Sequence, residues 1–151
     1  MSSRTDLDDL DLEIIRILLV NSRTSYRKIA EKIGVSPATV LIRLRKLRRK
    51  GIIRGFTIDL DPNKLGYNVQ AYILVKTEPK KTRNVWSRIA SLKNVVEAYE
   101  VTGEYNILAK VWVEDYKSLA NTIDLVRGID GVVDTNTIIV LRPIKTMYVP
   151  L

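Results

Sequence analysis

The sequence predicts an α+β chain of two domains, in which a helical N-terminal third is followed by two rounds of strand, helix and strand. Three observations support this prediction. Apolar residues recur at helical spacing near the N-terminus, short apolar strands alternate with amphipathic helices from residue 68, and the formal charge of +8 is concentrated in the first third. We place the first domain at residues 1–54, a connecting strand and linker at 55–67, and the second domain at 68–151.

The first predicted helix begins close to the N-terminus, where Thr5 or Asp6 is available as its N-cap. Its apolar positions lie one to four residues apart, in the pattern of a helical face. They are Leu7, Leu10, Ile14, Ile17 and Leu18. A polar stretch over residues 21–24 ends this helix.

Two further helices follow in a compact arrangement. Ser25 is the expected N-cap of a short helix over residues 26–32, and a tight turn at Gly34 separates it from the next one. Ser36 and Pro37 then open a third helix, as a hydroxyl cap followed by proline at the first helical position. Two helices joined across a short glycine turn are typical of a helix-turn-helix domain, in which the second of them enters the major groove of DNA.

The third helix has an apolar side, at Val40, Leu44 and Leu47, and an opposite side that holds the candidate DNA contacts. Small residues near its start can approach base edges, Ala38 or Ile42 can meet thymine methyl groups, and arginine can reach guanine or phosphate. An ordinary helical bundle explains the Ser-Pro start and the placed charge less well. The predicted DNA-binding residues are Ser36, Ala38, Thr39, Ile42, Arg43, Arg45, Lys46 and Arg49.

The charge distribution favours the same function. Residues 1–55 contain thirteen Lys and Arg against six Asp and Glu, a net charge of +7, whereas the rest of the chain has a net charge of +1. Seven bases fall between Arg43 and Arg54 without an acid among them. Since like charges at helical spacing repel one another, a polyanionic partner such as double-stranded DNA is favoured over a merely solvated face.

The rest of the chain reads as strands and two more helices. Residues 52–60 alternate well enough to predict a connecting strand, with a turn at 61–63. Two similar passes of strand, helix and strand, joined by a hairpin, then predict a ferredoxin-like βαββαβ domain with one antiparallel sheet and both helices on one face. The predicted strands are 68–77, 95–102, 106–113 and 132–141, and the predicted helices are 80–92 and 116–127.

The strands of this domain do not alternate cleanly between apolar and polar residues. Tyr72, Leu74, Leu108 and Trp112 would lie bare on the face that the helices leave open. Monomeric proteins rarely expose such a patch, and burying about 800 Å² per subunit against a second copy is the usual remedy. We therefore predict a homodimer through this domain.

Composition excludes several classes of function. The chain has no cysteine and no histidine, which excludes disulfides, thiol catalysis and thiolate zinc sites and removes the commonest metal ligand. No glycine-rich phosphate loop, secretion signal or apolar run of about 18 residues is present. We predict a cytoplasmic protein that is not an enzyme, uses no cofactor or metal, and does not bind membranes.

Several short segments, in the right order along almost the whole chain, carry a family resemblance. They include Leu7-Asp8-Asp9-Leu10-Asp11, Gly34-Val35-Ser36-Pro37, Gly51-Ile52-Ile53, Leu65-Gly66-Tyr67 and Thr102-Gly103-Glu104-Tyr105-Asn106. With these segments the chain resembles the Lrp/AsnC (leucine-responsive, feast/famine) regulators. The resemblance implies homodimers that often assemble into octamers, bind DNA near promoters, and respond to an amino acid held where sensing domains of neighbouring dimers meet.

The resemblance also implies a set of effector-binding residues. An acidic side chain on the second helix of the sensing domain can pair with an α-ammonium group, while loop amides and threonine hydroxyls can receive a carboxylate. By position, the set comprises Thr102, Gly103, Tyr105, Asn106, Asp124, Thr135 and Thr137. The family loop usually ends in aspartate, so Asn106 removes a charge from the expected pocket. That departure leaves open a different effector, a weaker one, or none.

The sequence therefore predicts a sequence-specific transcriptional regulator, dimeric or higher, that an amino acid or similar small effector modulates. One alternative is an architectural protein that binds DNA with little sequence preference and senses no effector. A metabolic enzyme on the ferredoxin-like fold ranks below both, because no nucleophile–base pair or metal-ligand cluster is visible.

Overall fold

The structure, a computed structural model, describes residues 7–146. The described chain divides into two compact units, with residues 7–59 in the first and residues 60–146 in the second. Each unit has its own hydrophobic core.

The first unit consists of three helices, α1 (Asp9–Val20), α2 (Tyr26–Ile33) and α3 (Pro37–Arg49). Ser25 and Ser36 cap α2 and α3 as predicted, each accepting a backbone N–H of the first turn. The predicted cap of α1 at Thr5 or Asp6 is wrong, and both residues lie outside the described range. Asp8 is the N-cap because its backbone is extended and its carboxylate accepts the N–H of Asp11 at 2.9 Å.

The core of the first unit draws on all three helices. Each inward position predicted for α3 is buried, and Gly34 adopts the left-handed conformation, with φ at 72°, in the turn between α2 and α3. The buried residues of this core are Ile14, Ile17, Leu18, Ile29, Ala30, Val40 and Leu44.

The predicted strand over residues 52–60 is not present. No described strand pairs with this segment, so its backbone has no ladder in which to form strand hydrogen bonds. Its apolar residues Phe56, Ile58 and Leu60 are exposed. The alternation of apolar residues is real, but alternation without a hydrogen-bonding partner does not make a strand within one chain.

The second unit is a four-stranded antiparallel sheet with two helices, as predicted. The strand order is β2-β3-β1-β4, so the first and third strands occupy the centre. After a short 3₁₀ turn at Asn63–Leu65, the elements are β1 (Val69–Thr77), α4 (Thr82–Ala90), β2 (Val95–Glu100), β3 (Ile107–Val113), α5 (Tyr116–Arg127) and β4 (Val132–Ile139).

One face of this sheet packs against both helices. Along β1 and β3, buried residues alternate with half-buried ones, and the buried set forms one core with Val85 and Ile89 of α4 and Leu119 and Val126 of α5. The half-buried set is the predicted open face and includes Tyr72, Leu74, Leu108 and Trp112. The central strands therefore have one fully covered face and one open face. The open face combines these apolar residues with the polar side chains of Gln70, Lys76 and Lys110.

Candidate nucleic-acid interface and effector site

The first turn of α3 has a geometry that suits contact with an anion. The Ser36 hydroxyl accepts the N–H of Thr39 at 3.1 Å and lies 2.9 Å from the Thr39 hydroxyl. Ser36, Pro37 and Ala38 are all exposed, so only small side chains surround the first turn. A helix N-terminus with this geometry presents backbone N–H groups and the positive end of the helix dipole, which together suit a phosphate.

The outer face of α3 is open along the whole helix. Ala38, Ile42, Arg45 and Arg49 are exposed, and the apolar side chain of Ile42 is 64% exposed. Within residues 7–146, neither Arg45 nor Arg49 forms an ion pair or a side-chain hydrogen bond. These positions are where the helical spacing predicted the DNA-facing side.

Two of the predicted DNA contacts, Arg43 and Lys46, pair with carboxylates at the start of α1. The guanidinium of Arg43 pairs with the carboxylate of Asp8 and lies 3.3 Å from Oδ1 of Asp11, and the Lys46 ammonium lies 3.5 Å from Oδ2 of Asp11. Asp11 is completely buried. The N–H of Asp11 and the Arg43 guanidinium lower the pKa of Asp8, and the hydrogen bond with Asp8 raises the pKa of Arg43.

This network fixes α3 against α1 and offsets part of the positive charge on the inner flank of α3. The cations left open to a partner are Arg45 and Arg49 together with Arg48, which sequence reasoning did not single out. Its exposure follows from its place next to Arg49 and one turn beyond Arg45, so helical spacing could have found it. The sequence does not predict the ion pairs of Asp11, because Arg43 and Lys46 lie 32 and 35 residues away along the chain.

The predicted effector residues of the β2–β3 loop lie at one end of the sheet. Thr102 and Gly103 are exposed in the turn, and the Tyr105 hydroxyl donates to Asp134 at 3.2 Å. Burial and this hydrogen bond raise the pKa of Tyr105. The side-chain oxygen of Asn106 accepts the backbone N–H of Thr77 at 3.0 Å.

The remaining predicted effector residues form a second group on α5 and β4. Asp124 is exposed without a side-chain partner among the described residues, Thr137 is half-buried, and the Thr135 hydroxyl accepts a hydrogen bond from Arg127 at 2.9 Å.

The sheet register separates the two groups. Thr135 pairs with Val75 from one side, and the N–H of Asn106 reaches the carbonyl of Val75 from the other. Since β1 lies between them, their backbones are about 10 Å apart, or two strand spacings. The Tyr105 side chain reaches β4 at Asp134, but Asn106 and Thr135 do not meet within a single protomer.

A cleft of about 520 Å³ opens beside the loop group, between the start of α4 and the end of β2. Asn106 is the one predicted effector residue that lines it. Sequence reasoning missed the others, because they come from two elements and show no shared spacing. The full lining is Pro79, Lys80, Thr82, Arg83, Trp86, Glu100, Val101 and Asn106.

Neither unit holds a helix that could cross a bilayer, since over residues 7–146 no helix combines the required length with the required hydropathy.

Comparison with known proteins identifies both units. Residues 7–54 match the winged helix-turn-helix DNA-binding family, and residues 70–150 match the Lrp/AsnC ligand binding domain. The HTH-type transcriptional regulator FL11 of Pyrococcus horikoshii is 39% identical over 142 residues, which is 94% of each chain. The regulatory protein AsnC of Escherichia coli is 37% identical over 138 residues, covering 90% of this chain and 91% of AsnC.

Solved structures agree. Escherichia coli AsnC superposes with a TM-score of 0.90 at 35% identity, over 95% of this chain and 97% of AsnC. A transcriptional regulator of Neisseria meningitidis, in complex with L-Met, also has a TM-score of 0.90, at 26% identity over 95% of this chain and 96% of its own. The chain belongs to the Lrp/AsnC family and is a transcriptional regulator, not an enzyme, with a helix-turn-helix DNA-binding domain and a ligand-binding domain.

Proposed function

We propose that the protein is a sequence-specific DNA-binding regulator that acts as a homodimer or higher oligomer and responds to an amino acid. The observation that supports this most directly is the outer face of α3, where Ala38, Ile42, Arg45 and Arg49 are exposed and aligned. Apolar and cationic side chains on one face of a helix suit the major groove, whose floor offers thymine methyl groups and guanine acceptors and whose walls are phosphates.

Within this proposal the residues of α3 have different tasks. Ala38 and Ile42 lie one turn apart and would meet base edges, so they would contribute to the choice of sequence. Arg45 would reach guanine, while Arg49, at the end of the helix, and the Ser36 turn, at its start, would contact phosphates. Ion pairing to α1 makes Arg43 and Lys46 weaker candidates for direct contact than their position alone suggests.

Dimer formation is proposed through the open face of the sheet. Tyr72, Leu74, Leu108 and Trp112 are half-buried there, and Ile138, which pairs with Tyr72, is 52% exposed. These exposed apolar residues, with polar residues beside them, are suited to an interface of about 800 Å² per subunit. Pairing would let two α3 helices enter successive major grooves, roughly 34–36 Å apart.

Selection of bound fragments from random DNA, followed by titration of the selected and random sequences, tests sequence specificity. We expect the selected sequence to bind at least about 10³-fold more tightly than random DNA at the same salt concentration. A ratio close to one would favour an architectural protein without sequence preference.

Replacing Arg45 and Arg49 together by glutamine tests the role of α3. We expect weaker binding to every DNA sequence, because two cations that neutralise phosphate or guanine charge are lost. The slope of log affinity against log salt should become shallower by as much as about 2, since each phosphate contact contributes about 0.9.

The matched control is the pair Arg88→Gln and Lys117→Gln. Both residues are exposed on helices of the second unit, and the pair removes the same total charge. If the control changes the salt slope as much as the α3 variant does, net charge alone explains the binding and the proposed interface is wrong.

An amino-acid effector is proposed for the second unit, with the loop and α5–β4 groups as its candidate contacts. The L-Met complex of the Neisseria meningitidis relative supports this class of ligand. Isothermal titration with individual amino acids tests it, and we expect Asp124→Asn to abolish the heat of binding, because the ligand ammonium would lose its carboxylate partner. The absence of heat with every amino acid would contradict effector binding.

A further inference from the structure

The cleft between α4 and β2 is distinct from the α5–β4 group and has the dimensions of a ligand site. Its volume of about 520 Å³ is within the usual range for small-molecule pockets. Trp86 is 41% exposed and lines the cleft. The proposed effector contacts share only Asn106 with it, so the chemistry of this cleft can be considered separately.

Asn106 has a fixed orientation in this cleft. A backbone N–H only donates, so the atom that accepts the N–H of Thr77 at 3.0 Å is the amide oxygen of Asn106. The amide nitrogen has no hydrogen-bond partner among the described residues, and the side chain lines the cleft. It is therefore a free donor for an incoming acceptor, whereas an aspartate at this position would present a second carboxylate oxygen.

The charged residues of the cleft complement that donor. Lys80 and Arg83 bring two cations from the α4 side, and Glu100 brings one anion from the end of β2. All three are exposed, and within the described chain none of them forms an ion pair or side-chain hydrogen bond. Opposite charges that share a cleft without pairing to one another or to a third group are available to a ligand that has both signs of charge.

From this arrangement we propose that the cleft binds an acidic α-amino acid, of the glutamate or aspartate class. The two ligand carboxylates would pair with Arg83 and with Lys80 and the Asn106 amide, and the ligand ammonium would pair with Glu100. Since the cleft has a net charge of +1, a ligand of net charge −1 complements it better than a neutral amino acid does. The ring of Trp86 would cover the methylene groups of the ligand.

The experiment is isothermal titration of the intact protein with L-glutamate and L-aspartate, and with L-glutamine and L-asparagine as controls of the same shape. We expect one of the acidic amino acids to bind at least about tenfold more tightly than its amide. An amide that binds as tightly as its acid, or the absence of heat with both acids, would overturn the proposal. Neither result would affect a different amino acid that binds at the α5–β4 group.

Two variants locate the site. Arg83→Gln should weaken binding of the acidic amino acid at least about tenfold, and so should Asn106→Asp, which keeps the acceptor for Thr77 but replaces the donor by a negative charge. Arg88→Gln, also exposed on α4 but outside the cleft, should leave the affinity unchanged. Equal affinities of Arg83→Gln and Arg88→Gln for the acidic amino acid, or full affinity in Asn106→Asp, would place the ligand elsewhere and refute the proposal.

Discussion

The buried carboxylate of Asp11 pairs with some cations of α3 and leaves others available to a partner. It is completely buried, and its two oxygens face Arg43 and Lys46. A buried carboxylate is stable only when it is paired, so these two cations also stabilise the packing of α3 against α1. Arg45 and Arg49, on the same helix, have no such partner among the described residues and are open to DNA.

Asp11→Asn tests this division. We expect it to lower the free energy of unfolding by roughly 1–3 kcal/mol, because two charge-assisted contacts between α1 and α3 lose their anion. We also expect a steeper salt dependence of DNA binding, since Arg43 and Lys46 are released from the carboxylate. Urea denaturation and salt titration of the full-length protein measure the two effects.

The control is Asp9→Asn, which removes the same charge from an exposed position in the first turn of α1. We expect it to change stability by no more than about 0.5 kcal/mol and to leave the salt slope unchanged. Equal effects of the two variants would mean that the buried network has no special role.

At the residue scale, sequence reasoning found positions but not partners. Helical spacing placed Ala38, Ile42 and Arg45 correctly on the outer side of α3, because a 3.6-residue repeat fixes which side chains share a face. The same spacing put Arg43 among the DNA contacts, since Asp8 and Asp11 come from a different helix. The lining of the α4–β2 cleft was missed for the same reason, because only the fold brings Arg83 and Glu100 to the same cleft.

At the scale of elements, the accuracy of each prediction follows the local signals. The prediction for residues 116–127 matches α5, whose start has the Asp115 cap with its carboxylate 2.7 Å from the N–H of Ser118. The prediction for residues 80–92 is longer than α4 at both ends. At the N-terminal end no cap marks the start, because Lys81, the N-cap, provides no side-chain hydrogen bond. Residues 52–60 alternate like a strand, but no described strand pairs with them, so they do not form one.

The turn before β4 is an element whose sequence requirement is strict. Gly131 has φ at 101°, and a Cβ atom there would lie 2.5 Å from Cβ of Lys81. Its carbonyl accepts the N–H of Glu78 at 2.9 Å, so this turn joins the start of β4 to the end of β1. Both the backbone conformation and the close approach exclude a side chain.

Gly131→Ala is therefore expected to lower the free energy of unfolding by roughly 1–3 kcal/mol, from backbone strain and displacement of Lys81. Gly55→Ala is the control, because its backbone is not left-handed and its added Cβ would have no neighbour within 4 Å. We expect that variant to be neutral or stabilising by up to about 1 kcal/mol. Denaturant unfolding of both variants measures these effects. Equal losses in the free energy of unfolding would show that the turn at Gly131 has no special requirement for glycine.

At the scale of the whole molecule, the open face of the sheet is the proposed link between dimerisation and DNA binding. Leu74 and Leu108 are direct register partners on the central strands, and Trp112 pairs with Gln70 farther along the same face. The other face of the sheet is covered by α4 and α5 of the same chain. If a second copy covers the open face, dimerisation and DNA binding become one equilibrium, because two recognition helices on one dimer bind more tightly than one alone.

Leu74→Glu tests this coupling. The substitution places a charge at the centre of the open face, and a symmetric dimer would bury two of them, so we expect a monomer in sedimentation equilibrium. Because Leu74 is half-buried on the face away from the helices, the circular dichroism spectrum should remain unchanged. Affinity for a DNA with two half-sites should fall by about 10²-fold or more, whereas weak binding to random DNA should change less.

The control is Ser87→Glu, exposed on α4, which should leave both the dimer and its DNA affinity unchanged. If Leu74→Glu is still a dimer, the open face is not the interface. If the wild-type protein is a monomer that still selects one DNA sequence, sequence recognition does not depend on dimerisation.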